Sequence, residues 1–241
     1  MKKTGFRRAF ALLVLLLVAS IASPGFNCKP GTGEGTEDTV VARVNDRTIT
    51  KAELSERTRL YRVFMALRSV PQFARFLMET DQGKAALDMY RNYVLDIMIE
   101  EKLIIQKAEA RGINITEAEI NSRLETIINE TKEVSNREEL LERLQKDRRN
   151  LHDLKEEIYR KLIREKLKEM VTKDVTIKAD EVASYYEKNR DSFRGKDGEV
   201  KPLSRVRDHV RERLKEDRRE EFWRKWLEKT KERADIRKEL E

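Results

Sequence analysis

The chain has 241 residues, 39% of them hydrophobic and 40% charged, with 9 glycines and 4 prolines, which is enough apolar mass for one or two small cores and excludes bulk disorder. Lysine and arginine outnumber aspartate and glutamate by 52 to 45, yet the two signs alternate through nearly every later segment. That is the texture of solvated helix faces rather than a basic groove, so no nucleic-acid partner is expected.

Residues 1–28 differ from the rest. Lys2, Lys3, Arg7 and Arg8 precede an apolar run from Ala9 to Ala22, the positive head and short hydrophobic stretch of an export signal. The run is shorter than the ~20 apolar residues of a spanning helix. Removing its four positive charges takes the formal net charge from +7 to +3. The one cysteine, Cys28, follows, and two readings stay open. Lipid attachment at Cys28 would make residues 29–38, rich in Gly, Thr and Glu, a flexible tether to a membrane. Gly25 and Asn27, however, stand where that signal usually has an aliphatic and a small residue, and ordinary cleavage after Ala22 competes.

From residue 39 the texture is that of a folded domain. Val40, Val41 and Val44 precede the turn-forming Asn45-Asp46 pair, and Thr48 and Ile49 follow, predicting a strand, a turn and a short return. Thr50 and Glu53 form a capping box, with Ile49 and Leu54 as its hydrophobic staple. Ile115, Thr116, Glu119 and Ile120 repeat the device. Ile177, Glu181 and Val182 repeat it around Lys178, which offers no side-chain acceptor. Helix starts are therefore predicted near residues 50, 116 and 178. Leu87, Tyr90, Val94, Ile97, Met98, Leu103 and Ile104 have the spacing of a core-facing stripe, closed by Gly112. Leu140, Leu144, Leu151, Leu154, Ile158, Leu162, Leu167 and Met170 form a second stripe. Lys161 and Glu165 break its heptads, which favours a globular helical cluster over a coiled coil. Pro202 opens a long final helix with Val206, Val210, Leu214, Phe222, Trp226 and Leu227 on one face, and "ADIRKEL" is expected to end in a short strand.

Catalytic chemistry is not apparent. His152 and His209 sit among charged helix residues and are expected on the surface. No His/Cys cluster, calcium loop, phosphate loop or nucleophile elbow is visible, so no metal or cofactor is expected. What remains is binding surface. Residues 61–98 concentrate Tyr61, Phe64, Met65, Phe73, Phe76, Met78, Met89, Tyr90, Tyr93 and Met98. Burial in a core is the ordinary role for any one of them. Met beside aromatics also adapts to varied apolar partners, and Pro71 and Gly83 break the stretch into pieces that could line a groove. Phe64, Met65, Phe73, Phe76, Met78, Met89 and Tyr90 are the candidates for binding such a partner.

"VVARVNDRTITKAEL", "YVLDIMIEEKLIIQKAEARGINITEAEI", "LKEEIYRKLIREKLKEMV", "VTIKADEVASYYEKNRDSF" and "FWRKWLEKTKERADI" together resemble, in order, the chaperone module of SurA-like and PrsA-like exported folding factors. The resemblance spans residues 39–194 and 202–237. It implies a mainly helical cradle in a single domain over 39–241, with Val40–Val44 pairing near Ile236 so that the C-terminal helix completes the N-terminal part. It also implies a role as an ATP-independent chaperone for unfolded exported or outer-membrane proteins in the bacterial periplasm; a dedicated envelope assembly or interaction lipoprotein using the same cradle is the alternative. The family's parvulin-type prolyl isomerase domain commonly follows the "YYEKNRDSF" phrase. Here only residues 194–201 intervene, too few for a domain of ~100 residues, so an isomerase label could follow from resemblance but the activity is not expected.

Overall fold

A computed structural model of the chain describes residues 39–131, 134, 136–146, 149–195 and 198–239. The predicted export signal, Cys28 and the tether at 29–38 lie outside the described residues. The fold is mainly α, with one small sheet.

β1 (Val40–Val44) and β2 (Arg47–Thr50) form the predicted hairpin. Its turn places Asn45 at φ 54°, a left-handed conformation that Asn tolerates better than most residues. β3 (Ile236–Lys238) pairs antiparallel with the other edge of β1, Val44 opposite Ile236, so the strand order is β2-β1-β3. The two ends of the domain thus close on one another as the family resemblance implied. Asn45 fastens the closure: its N–H donates to the Asp235 carbonyl at 2.8 Å and its Oδ1 accepts the Asp235 N–H at 3.0 Å. Its Nδ2 donates to Gln106 Oε1 at 2.7 Å.

The helices are α1 (Lys51–Thr58), α2 (Leu60–Ala66), α3 (Pro71–Glu79), α4 (Asp81–Glu109), α5 (Glu117–Glu130), α6 (Arg137–Lys146), α7 (Leu151–Val171), α8 (Ala179–Lys188) and α9 (Leu203–Glu232), with 3₁₀ turns at Leu67–Ser69 and Arg190–Phe193. The three predicted starts fall where the caps place them. Glu53 N–H donates to Thr50 Oγ1 and Thr50 N–H returns to Glu53 Oε2, and Thr116 and Glu119 exchange the same pair of bonds. At Lys178 half of the box survives, its N–H donating to Glu181 Oε2 at 2.9 Å. Gly112, at φ 69°, ends α4 in the left-handed region.

Apolar side chains gather in four small clusters strung along the long helices. Val44, Ile49 and Leu54 pack with Leu95, Ile99 and Leu103 beneath the sheet. Ile104, Ile163, Leu167, Trp223 and Leu227 join α4, α7 and α9. Leu124, Ile128, Leu140, Leu144 and Ile158 join α5, α6 and α7, and Val182, Tyr186, Phe193 and Val210 join α8 to α9. This is the globular cluster expected, but three details of the predicted stripes are corrected. Leu95, Ile99 and Ile163 are core, because the buried face of a packed helix is wider than a single spaced row. The second stripe is divided between α6 and α7, and Met170 is exposed. Phe222 points outward and Trp223 is buried in its place, since α9 turns Val210 toward α8 and a roughly opposite side, with Trp223 and Leu227, toward α7 and α4.

Between Phe193 and α9 the described residues are drawn together. Arg194 bridges Val200, the Gly195 N–H donates to the Glu199 carbonyl at 2.7 Å, and the Lys201 N–H donates to the Phe193 carbonyl at 3.0 Å. His209 lies edge-on to Phe193, 6.0 Å between ring centroids.

Candidate functional site

The stretch from Arg59 to Gln82 contains no buried residue. It begins at Arg59, held at φ 52° between α1 and α2, whose guanidinium donates to Glu157 of α7 at 2.8 Å and pins the bend to the body. After α2 and the 3₁₀ turn, Pro71 starts α3, its fixed φ suited to the first helical turn. Thr80 then reverses the chain into α4: its Oγ1 accepts the Gly83 N–H at 3.0 Å and donates to the Phe76 carbonyl at 2.6 Å. α3 therefore lies back on the start of α4. Gly83 is what lets it come so close, since a Cβ there would stand 2.1 Å from the Phe76 oxygen.

The result is a helical arm whose large apolar side chains face outward. Phe73 is 46% exposed, Phe76 42%, Met78 57% and Met89 68%. Phe73 and Phe76 stack on one another, with centroids 6.2 Å apart and planes within 13°, so neither ring is inserted into the body. Tyr61, Met65, Tyr90 and Tyr93 are exposed and Phe64 is half-buried. The Tyr90 hydroxyl is tied down, donating to the Thr58 carbonyl at 3.1 Å. Of the ten residues of the predicted cluster only Met98 is core, so the ordinary expectation of burial fails. The physical reason is coverage: among the described residues α2 and α3 rest mainly on the 3₁₀ turn and α4, and their large apolar side chains stay exposed. Full burial of such a side chain is worth about 1.5–3 kcal/mol, and these side chains forgo part of it.

The charged clusters are structural. Glu100 of α4 accepts from Arg164 of α7 at 2.9 Å and from Lys231 of α9 at 2.6 Å. Burial alone would raise its carboxyl, but these two hydrogen bonds prevail and hold it below the usual range. Glu119 is lowered to about 2 by Lys166 and by the Thr116 N–H, the signature of a helix cap and not of a general acid. Among the described residues no group of His, Cys, Asp or Glu converges as a metal site, and no helix is long and apolar enough to cross a membrane. His152 is exposed, as expected. Sequence reasoning missed the Glu100 clasp, because 45 acidic residues offer no local sign of which one meets two cations from distant helices.

Fold and site define a helical scaffold presenting an unpaired apolar arm. The family model for the SurA-like N-terminal domain matches residues 2–168. The chain is 29% identical over 188 residues to the foldase protein PrsA of Caldanaerobacter subterraneus, covering 78% of this chain and 54% of that protein. It is 27% identical over 164 residues to the foldase protein PrsA of Clostridium botulinum, covering 67% and 48%. It thus spans about half the length of these curated relatives. A solved structure from work on PEB4 and the periplasmic protein Cj1289, described as two structurally related SurA-like chaperones of Campylobacter jejuni, superposes with a TM-score of 0.57 at 13% identity, covering 83% of this chain and 99% of that one. The chain belongs to the SurA-like N-terminal domain family.

Proposed function

We propose that the protein is an ATP-independent chaperone that holds unfolded exported polypeptides on the α2–α3–α4 arm and keeps them from aggregating. The exposure of Phe73, Phe76, Met78 and Met89 carries this reading. The highly charged body keeps a loaded complex in solution, and the arm's separate short pieces suit a client bound weakly and reversibly, because a disordered chain loses entropy on docking. The leader-like residues 1–28 support action outside the cytoplasm, with Cys28 as the candidate point of lipid attachment. Prolyl isomerisation is outside the proposal: only residues 194–201 stand where the family's isomerase domain is commonly inserted.

The test is aggregation suppression by the mature chain with several unrelated unfolded clients. The F73S/F76S/M78S variant is expected to lose most of the protection while its cooperative helical melt is retained. Undiminished protection by that variant would remove the arm from the mechanism. Protection of one client alone would identify a dedicated assembly partner, and turnover in a proline-isomerisation assay would overturn the reading of residues 194–201.

A further inference from the structure

Resting on the chaperone reading, we propose that the arm selects apolar client segments that also carry aspartate or glutamate, its arginines reading the carboxylates. In a chain where 40% of residues are charged, every charged side chain from Leu60 to Met78 is an arginine: Arg62, Arg68 and Arg75. No lysine and no acid interrupts the nineteen residues. Elsewhere the signs are mixed; α7 interleaves its basic residues with Asp153, Glu156, Glu157, Glu165 and Glu169. Residues 60–78 have the residue types of a recognition surface, where aromatics, Met and Arg are enriched and Lys and Glu depleted, and the run ends at Glu79 and Asp81.

Arg68 and Arg75 are exposed and form no ion pair among the described residues. Arg62 is held to the arm, its Nε donating to the Tyr61 hydroxyl at 3.0 Å and its guanidinium lying 5.7 Å over the Tyr61 ring. The planar guanidinium fork matches a carboxylate bidentately and is weakly hydrated, so it can sit beside apolar contacts at low desolvation cost. The proposed occupant is a polypeptide, because the exposed apolar side chains are spread over three helices: Tyr61 and Met65 on α2, Phe73, Phe76 and Met78 on α3, and Met89 and Tyr93 on α4. α3 is itself amphipathic, with Gln72, Arg75 and Glu79 together on one side, so lipid vesicles are included in the test.

The experiment measures binding of the mature chain to short peptides labelled with a neutral dye, identical in their Phe, Leu and Val residues and flanked by Asp, Asn or Lys. The Asp peptide is expected to bind about three- to tenfold tighter than the Asn peptide, the effect of one or two exposed charge pairs, and the advantage to shrink as salt rises. R68E/R75E, changing two exposed positions, is expected to reverse the order in favour of the Lys peptide with unchanged helicity. Equal binding of the three peptides would overturn the charge selection and leave the chaperone reading standing. Binding of none of them would overturn both. Capture of phosphatidylglycerol vesicles that depends on Arg68 and Arg75, without preference among the peptides, would assign the arginines to a lipid surface instead.

Discussion

Gly83 and Glu100 show how single residues set the shape of the molecule. A glycine inside a helix ordinarily costs about 1 kcal/mol relative to alanine, so Gly83→Ala should help by propensity alone. It would instead put a methyl group 2.1 Å from the Phe76 carbonyl oxygen, and a backbone atom cannot swing aside as a side-chain tip can. The clash prevails, and G83A is expected to lift α3 from α4, speeding amide exchange over residues 71–80 by about tenfold or more, ~1.4 kcal/mol, with the sheet core unaffected. Unchanged or slower exchange would contradict this. At Glu100 the depressed carboxyl favours the folded state when ionised. That contribution is complete above the unfolded value of about 4.3 and is lost as pH falls through the lower folded value. Glu100→Gln is expected to cost about 1 kcal/mol at pH 7, a figure reduced for solvent screening. In urea denaturation the gap to the parent protein should narrow as the pH is lowered toward 3; a gap that holds constant would show that the loss is one of packing.

Single helices follow their own ends. Thr50, Thr80, Thr116 and Asn150 each place a side-chain oxygen on an otherwise unpaired N–H of the first turn, which is why these starts stand out from residue types alone. α8 has the same backbone entry, with Lys178 at φ −83°, ψ 158°, but only the reciprocal bond from its N–H to Glu181. A serine there would supply the missing acceptor without altering the backbone. Lys178→Ser is therefore expected to stabilise α8 by about 0.5–1 kcal/mol, read as slower exchange of its first-turn amides; faster exchange would mean that the lysine makes a contribution of its own. Helix stripes were legible to within one turn and not to the residue. Phe222 and Trp223 are both plausible members of a 3.6-residue pattern, and the choice between them was made by which side of α9 packs on α7 and α4.

The molecule as a whole is closed by its ends. β3 is only three residues long, yet it bonds to β1, Glu239 N–H continues the ladder to the Val41 carbonyl at 2.9 Å, and Ile236 packs on the cluster beneath the sheet. Removing residues 235–241 leaves α9 intact and strips that edge. The truncation is expected to cost about 2–4 kcal/mol, from a few net hydrogen bonds at ~0.5–1.5 kcal/mol each together with Ile236. β1 amides should lose protection before those of α5 and α6; a melt identical to that of the full chain would show the closure to be incidental. The sheet pairing, with a sequence separation near the whole domain, left no local trace and was expected only through family resemblance.

Sequence alone determined what depends on neighbours in the chain: the hairpin turn at Asn45, the capped helix starts and the stop at Gly112, because hydrogen bonds and backbone preferences there reach no further than a few residues. It also marked 61–98 as unusually rich in Met and aromatics. Only the tertiary structure decided that these side chains face water, that one acid of many ties three helices together, and that the last strand completes the first. An apolar residue reads the same whether it is covered or not, and coverage is a property of the elements that pack over it, drawn from parts of the chain far away in sequence.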